Sequence, residues 1–471
     1  MTKPLRVVLA CDTFAPDING AARFAERLAG GLVRNGNEVH IIAPAFDSSE
    51  GARIEEHDGV NMIVHRLRSH KVPQHKTLRW PEPWGMTSKI GKILDDVDPV
   101  ALHIQSHLMV GRFANIAARR RGLRVLATNH IMPENLIRYS LLPKFMHNWA
   151  MNILWADAGR ILRRIDTVTT PTKRAADLLE KAAGVSGVLA ISCGIDASRF
   201  ANDSPVQNSS PVALFLGRLD DEKRVDVLLK AVAKLTAHPT LRVELVGDGG
   251  ERERLKKLAG TLGIADRVSF LGHVKDEELP GIYERATVFV MPSIAELQSI
   301  ATMEAMASGR PVIGADAMAL PHLVHDGDNG YLFPPGDVDA LADRLARILT
   351  ADQTELNRLS ENSLHLIQAH DINRTVKIFE DLYLGVGESE PTTDDNQPSY
   401  MAPIGRLSES LRSKLVEWRA DALALRGRAE SFRHEARERL VEMRQEVRGQ
   451  LSDLRSEIQR QAKKLRRRGE D

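Results

Sequence analysis

The sequence predicts an α/β protein built from two doubly wound parallel-sheet domains, followed by a long C-terminal amphipathic helix. Three observations carry that expectation. A chain of 471 residues exceeds one ordinary core, so two domains and an appendage are expected. Short Val/Ile/Leu runs alternate with helix-period segments in both halves, the pattern of βαβ units. Beyond residue 385 the composition turns polar and then into a charged, striped pattern.

In the first half, strands are expected at 6–11, 38–43, 61–66, 100–104, 124–128 and 166–170. A helix beginning near Gly20 should end before Gly36, which suits the residue just past a helix end. In the second half, strands are expected at 212–216, 243–246, 268–271, 287–291 and 311–313. The polar, Ser-rich stretch 203–211 marks the joint, giving domains at 1–202 and 203–370. Residues 386–403 read as a linker, rich in Glu, Pro, Thr, Asp and Ser. From Leu407 to Leu465 apolar or small residues recur about every 3.6 positions, the period of a straight amphipathic helix over 404–471.

With only Cys11 and Cys193 there is neither a disulfide framework nor a cysteine metal cluster, which fits a reducing cytoplasm. The first residues lack the apolar core and cleavage site of a signal peptide, and no apolar run is long enough to span a bilayer. Membrane association would therefore be peripheral. The net charge of +1 hides an asymmetry. Residues 404–471 hold 18 Lys/Arg against 12 Asp/Glu, a net +6, and the rest of the chain is −5. An acidic partner surface is thus expected for the tail alone. It suits an anionic membrane, self-association, or a solvated spacer. Without aromatic interleaving or a reader motif, nucleic acid is not expected.

The densest chemical signal is Ala295-Glu296-Leu297-Gln298-Ser299-Ile300-Ala301-Thr302-Met303-Glu304-Ala305-Met306-Ala307-Ser308-Gly309-Arg310-Pro311-Val312-Ile313. Its two carboxylates straddle a helix start, Glu296 on the incoming loop and Glu304 about one and a half turns along. Unpaired N–H groups near Ser299 and Ile300, at the positive end of the helix dipole, would favour a phosphate there.

Glu-x7-Glu followed by Ala-Met-Ala-x-Gly-x-Pro-Val resembles the donor-site signature of family 4 retaining glycosyltransferases. The resemblance covers roughly residues 5–385 and implies a GT-B fold, in which two Rossmann-like domains face a cleft and a crossover helix, here 371–385, returns to the first domain. It implies that Glu296 holds the transferred sugar and Glu304 the ribose of a nucleotide-diphosphate sugar. Leu297-Gln298-Ser299 stands where the family usually has Gly-Phe-Gly.

Further motifs fit the same family. Gly217-Arg218-Leu219-Asp220-Asp221-Glu222-Lys223-Arg224 is similar to Gly-Arg-Leu-x-x-x-Lys-Gly, whose Arg and Lys pair with the diphosphate, although Arg224 replaces the final glycine. Two fixed cations can stabilise a departing diphosphate without a metal. Gly20 opens a helix after the first strand, where its small size permits close backbone approach to phosphate. Asn19-Gly20 replaces the usual Gly-Gly. Thr128-Asn129-His130 resembles Thr-x-His, whose imidazole lies near the reaction centre; His103 and His107 lack that context and read as structural. The residues after His130, Ile131-Met132-Pro133-Glu134-Asn135, suggest a distinct acceptor pocket. Leu271-Gly272-His273-Val274 resembles the loop that reads the base through its main chain, at Val274, with Gly247-Asp248-Gly249-Gly250 nearby.

The implied reaction moves glucose or mannose from a UDP- or GDP-sugar to a lipid or lipid-linked acceptor, with retention and without metal or cofactor. A soluble acceptor, or a nucleotide-sugar epimerase of the same fold, is the alternative.

Overall fold

The computed structural model describes residues 4–17, 19–47, 50–71, 79–131, 146–201, 205–206 and 210–386. The expected linker beyond Val386, the helix over 404–471, residues 132–135 after His130 and most of the expected joint at 203–211 lie outside the described residues.

The first sheet contains β1 (Arg6–Ala10), β2 (Glu38–Pro44), β3 (Gly51–His57), β4 (Val60–Leu67), and, after the small hairpin β5 (Ser69–Lys71) and β6 (Arg79–Pro81), the strands β7 (Ala101–Ile104), β8 (Arg124–Thr128), β9 (Thr167–Thr170) and β10 (Leu189–Ala190). Their order is β10-β9-β8-β7-β1-β2-β4-β3, parallel except where β3 pairs antiparallel with β4. Residues of β1 alternate between two cores: Val7 and Leu9 face one layer, Val8 and Ala10 the other. Both faces are covered, which is why the parallel strands read as continuous apolar runs. One layer holds α1 (Gly20–Arg34); the other holds α2 (Met86–Val97), α3 (Met109–Arg119), α4 (His147–Leu162) and α5 (Lys173–Ala183).

The second sheet comprises β11 (Val212–Leu216), β12 (Arg242–Val246), β13 (Val268–Gly272), β14 (Val288–Met291), β15 (Val312–Ala315) and β16 (Gly330–Phe333), all parallel, in the order β13-β12-β11-β14-β15-β16. Helices α6 (Val225–Lys234), α7 (Arg252–Thr261), α8 (Leu279–Glu284), α9 (Ile300–Ala307), α10 (Leu320–Leu323), α11 (Val338–Thr350) and α12 (Gln353–Ile367) connect and flank these strands.

The last described helix, α13 (Ile372–Leu384), packs back onto the first sheet. Its Val376, Phe379, Leu382 and Tyr383 share a core with Phe24, Leu28 and Leu32 of α1. His103 is a polar residue of that layer, fully buried, with Nδ1 at 2.9 Å from the Tyr383 hydroxyl and Nε2 at 2.7 Å from Thr128 Oγ1.

Each sheet reverses its winding once beside its central strand: between β1 and β7 in the first, between β11 and β14 in the second. At such reversals adjacent loops diverge and leave a crevice at the carboxyl ends of the strands. The loops after β1, β7, β11 and β14 carry Gly20, Gln105, Lys223 and Glu296 respectively.

Candidate functional site

The loop after β11 is shaped by its neighbour after β12. Gly217 N–H donates to Val246 O at 3.0 Å, Leu219 N–H to Asp248 O at 3.0 Å, and Glu251 N–H to Leu219 O at 2.8 Å. A Cβ on Gly247 would run into the Gly217 carbonyl oxygen, so the glycine-rich turn is a packing requirement for this loop. Gly247 N–H also donates to Gly272 O at 2.7 Å, which joins the turn to the loop that carries Val274.

Arg218 reaches over the same loop, with Nη2 at 2.9 Å from Glu222 Oε1 and a second ion pair to Asp220. Lys223 ends a short 3-10 turn, and Arg224 after it adopts φ +49° in the left-handed region. The loop therefore makes the turn that glycine would make, at a cost of about 1 kcal/mol for the side chain's clash. Arg224 Nε bonds Asp226 Oδ1 at 3.3 Å.

The loop after β14 is stitched to that turn. Ile294 N–H donates to Glu222 O at 3.0 Å, and the Ser293 hydroxyl to the same oxygen at 3.3 Å. Lys223 Nζ forms a direct ion pair with Glu296, both side chains being largely buried. The residues that the resemblance assigns to diphosphate and sugar thus neutralise one another. Ser299 caps α9, its Oγ accepting from Thr302 N–H at 3.4 Å and Thr302 Oγ1 at 2.8 Å. Ile300 is the first residue of the helix, where main-chain N–H groups have no intrahelical acceptor.

Glu304 lies deeper on α9, 4% exposed. Its Oε1 accepts from Arg27 Nη2 at 2.7 Å and its Oε2 from the Tyr283 hydroxyl at 2.9 Å. Arg27 comes from α1, across the cleft, and its other terminal nitrogen, Nη1, is buried without a partner. One turn earlier on the same helix, Arg23 forms a two-pronged ion pair with Asp276, two residues after Val274. Sequence reasoning missed Arg23, Arg27, Asp276 and Tyr283. The available signal for the arginines was their spacing of four on α1, with Arg27 on the stripe of buried residues.

Opposite stands the first βα loop. Asn19 caps α1, its Oδ1 accepting from Ala22 N–H at 2.9 Å. A Cβ on Gly20 would meet nothing within 4 Å, so protein packing alone does not require glycine there. Asp12 accepts from Val110 N–H at 2.7 Å and Gly111 N–H at 3.3 Å, capping α3 and tying the loops after β1 and β7 together. His130 follows β8, with its ring 4.9 Å from that of Phe24 and Nε2 at 3.2 Å from Gln105 Oε1. Burial pushes its imidazole down to about 3, so it is neutral at physiological pH. The amide nitrogen of Gln105 is buried without a partner.

The acid-sensitive histidines have a consequence for stability. Burial holds His103 and His370 at about 3, against an ordinary value of 6.5. Between those values the unfolded chain binds protons that the folded chain refuses, so stability is present above pH 6.5 and falls as the pH drops toward 3. Each histidine contributes about 1.4 kcal/mol per pH unit in that window. The melting temperature is expected to fall between pH 7 and 5, and less steeply in His103→Gln; a flat profile would contradict neutral burial.

Each of the two sheets carries helices on both faces, and their winding reversals meet at one cleft, which defines a GT-B glycosyltransferase fold. Sucrose-phosphate synthase from Thermosynechococcus elongatus shares it, with a TM-score of 0.66 at 22% identity over 81% of this chain and 98% of that one. Residues 18–199 match Glycosyltransferase Family 4, and residues 196–365 match Glycosyl transferases group 1. The chain belongs to the family 4-type glycosyltransferases. A GDP-mannose-dependent alpha-mannosyltransferase of Mycobacterium tuberculosis is 29% identical over 358 residues, 73% of this chain and 88% of that protein. A GDP-mannose-dependent alpha-(1-6)-phosphatidylinositol monomannoside mannosyltransferase of Mycolicibacterium smegmatis is 27% identical over 365 residues, 73% and 89% of the two chains.

Proposed function

We propose that this glycosyltransferase moves a hexose, mannose or glucose, from a nucleotide-diphosphate sugar to a lipid or lipid-linked acceptor, with retention of configuration and without a metal. The observation that carries the reading is the contact of Lys223 with Glu296 beside the start of α9, at the winding reversal of the second sheet. A sugar diphosphate is the ligand that such a pair suits: the cation takes the phosphate, the carboxylate takes sugar hydroxyls, and each is released from the other.

In this mechanism Arg218, Lys223 and the helix start at Ser299 and Ile300 stabilise the charge that grows on the leaving diphosphate. Glu296 orients the sugar. Glu304 holds the ribose, and the main chain at Val274 meets the base. Gly20 lets the opposite helix start approach the phosphates, and the open space around it accommodates that approach. The neutral imidazole of His130 adds no charge against the positive character developing on the sugar. The leaving phosphate accepts the acceptor's proton on the same face. The domain of the first sheet supplies the acceptor side and that of the second the donor side, joined by the crossover helix at 371–385.

Two mannosyltransferase relatives make GDP-mannose the first donor to test, and one of them has a phosphatidylinositol-based acceptor in its name. Trp80, Trp84 and Trp149, exposed by 55%, 82% and 59%, are the kind of side chain that rests at a lipid interface. No helix among the described residues is long and apolar enough to cross a membrane, so peripheral attachment is proposed, aided by the basic segment 404–471.

Donor binding is tested by thermal unfolding of the full-length protein with GDP-mannose or UDP-glucose. A ligand bound only by the folded state, at a hundredfold excess over its Kd, adds about 2.7 kcal/mol. One of the two is expected to raise Tm by several degrees. No shift with either would sink the donor assignment.

A further inference from the structure

The glutamine that stands where the family signature has phenylalanine makes contacts that no motif announces. Gln298 is buried on the loop between Glu296 and α9, yet both ends of its amide bond residues beyond β10. Its Oε1 accepts from Cys193 N–H at 2.7 Å, and its Nε2 donates to Ser192 Oγ at 3.0 Å. Next to it, Leu297 O accepts from the Thr172 hydroxyl at 3.1 Å.

Ser192 stands where the chain leaves the first sheet, and residues 370–372 are where it comes back. The two crossings are paired: Ile195 N–H donates to His370 O at 2.8 Å and Ile372 N–H to Ile195 O at 3.0 Å. They are also packed without slack, since a Cβ on Gly194 would lie 2.8 Å from Ile372 Cα. Ser192 O accepts from the Thr375 hydroxyl at 3.0 Å, and Ser192 Oγ lies 2.8 Å from His370 Nδ1. Because Ser192 Oγ accepts from both Gln298 Nε2 and Gly194 N–H, the latter at 3.2 Å, its own proton serves the neutral His370. The one amide thus holds Cys193 N–H and Ser192 Oγ directly and reaches His370 through the serine hydroxyl.

We propose that Gln298 is a positioning residue that fastens the sugar-holding loop to both interdomain crossings, so that donor binding and the angle between the domains are energetically linked. Any motion of one sheet against the other must turn about residues 191–195 and 370–372. The loop bearing Glu296 is tied to that axis and shifts with it. A phenylalanine at this position could make neither bond.

The proposal rests on the donor-site reading above, and two measurements separate their failures. Small-angle scattering of the ligand-free protein needs no donor: Gln298→Ala is expected to give a larger radius of gyration than wild type, and an equal one would overturn the linkage. In transfer kinetics Gln298→Ala is expected to raise donor KM about tenfold, with kcat changed less than about twofold. Ser192→Ala should raise KM in the same direction, and the double variant should be no worse than Gln298→Ala alone. An unchanged donor KM in an active variant, or effects that multiply, would overturn the proposal. Should Gln298→Ala not fold, Ser192→Ala carries both measurements. A wild type without donor-dependent turnover would instead condemn the donor site.

Discussion

Glu296→Gln is expected to lower the transfer rate by about two to three orders of magnitude, the usual effect of removing one preorganised polar group from a reaction centre. The amide keeps the volume and one acceptor oxygen, so Ala319 N–H, held by the Glu296 carbonyl at 3.1 Å, and the rest of the loop stay in place. What disappears is the charge. Lys223 loses its ion-pair partner and is freer to meet phosphate, so donor affinity should fall far less than kcat. Steady-state kinetics with purified donor, beside a circular-dichroism melt, separates the two effects. A folded variant with a wild-type rate would remove Glu296 from the reaction.

Arg27→Ala is expected to destabilise the protein by about 3–5 kcal/mol, the cost of leaving a buried charge without its partner. Glu304 would retain only the Tyr283 hydroxyl. The loss crosses the cleft, because Arg27 belongs to α1 and Glu304 to α9. A double variant that also carries Glu304→Gln should recover part of the stability, since the uncompensated acid is then gone. Denaturant melts of the four proteins in the cycle give the coupling directly, and a variant as stable as wild type would show that the pair is solvated in solution.

These two residues also mark where the sequence was and was not informative. The placing of Glu296, Lys223 and Gly20 was legible because each follows a short apolar strand, and a strand's carboxyl end is where a doubly wound sheet keeps its loops. Burial on both faces of the sheet made those strands readable. Strand β3 escaped notice for the opposite reason: GARIEEH lies at an edge, mostly exposed, and needs no apolar pattern. Strand β16 is four residues long and opens with Gly330, whose Cβ would strike the Val312 carbonyl, so a glycine that weakens the strand signal is what lets it pair. Where the motif's glycine after Lys223 is missing, Arg224 takes up the left-handed turn itself. Arg27 on Glu304 and Gln298 on Ser192 were beyond reach, because each contact joins segments more than 100 residues apart.

The return of α13 to the first sheet bears on how the protein is made. Val376, Phe379 and Tyr383 fill a layer whose other members, Phe24 and Leu28, leave the ribosome some 350 residues earlier. Until the second sheet has been synthesised, one apolar flank of the first is uncovered, and nascent domains in that state are prone to aggregate. The amino-terminal half is thus completed last, by the polypeptide that comes after its neighbour.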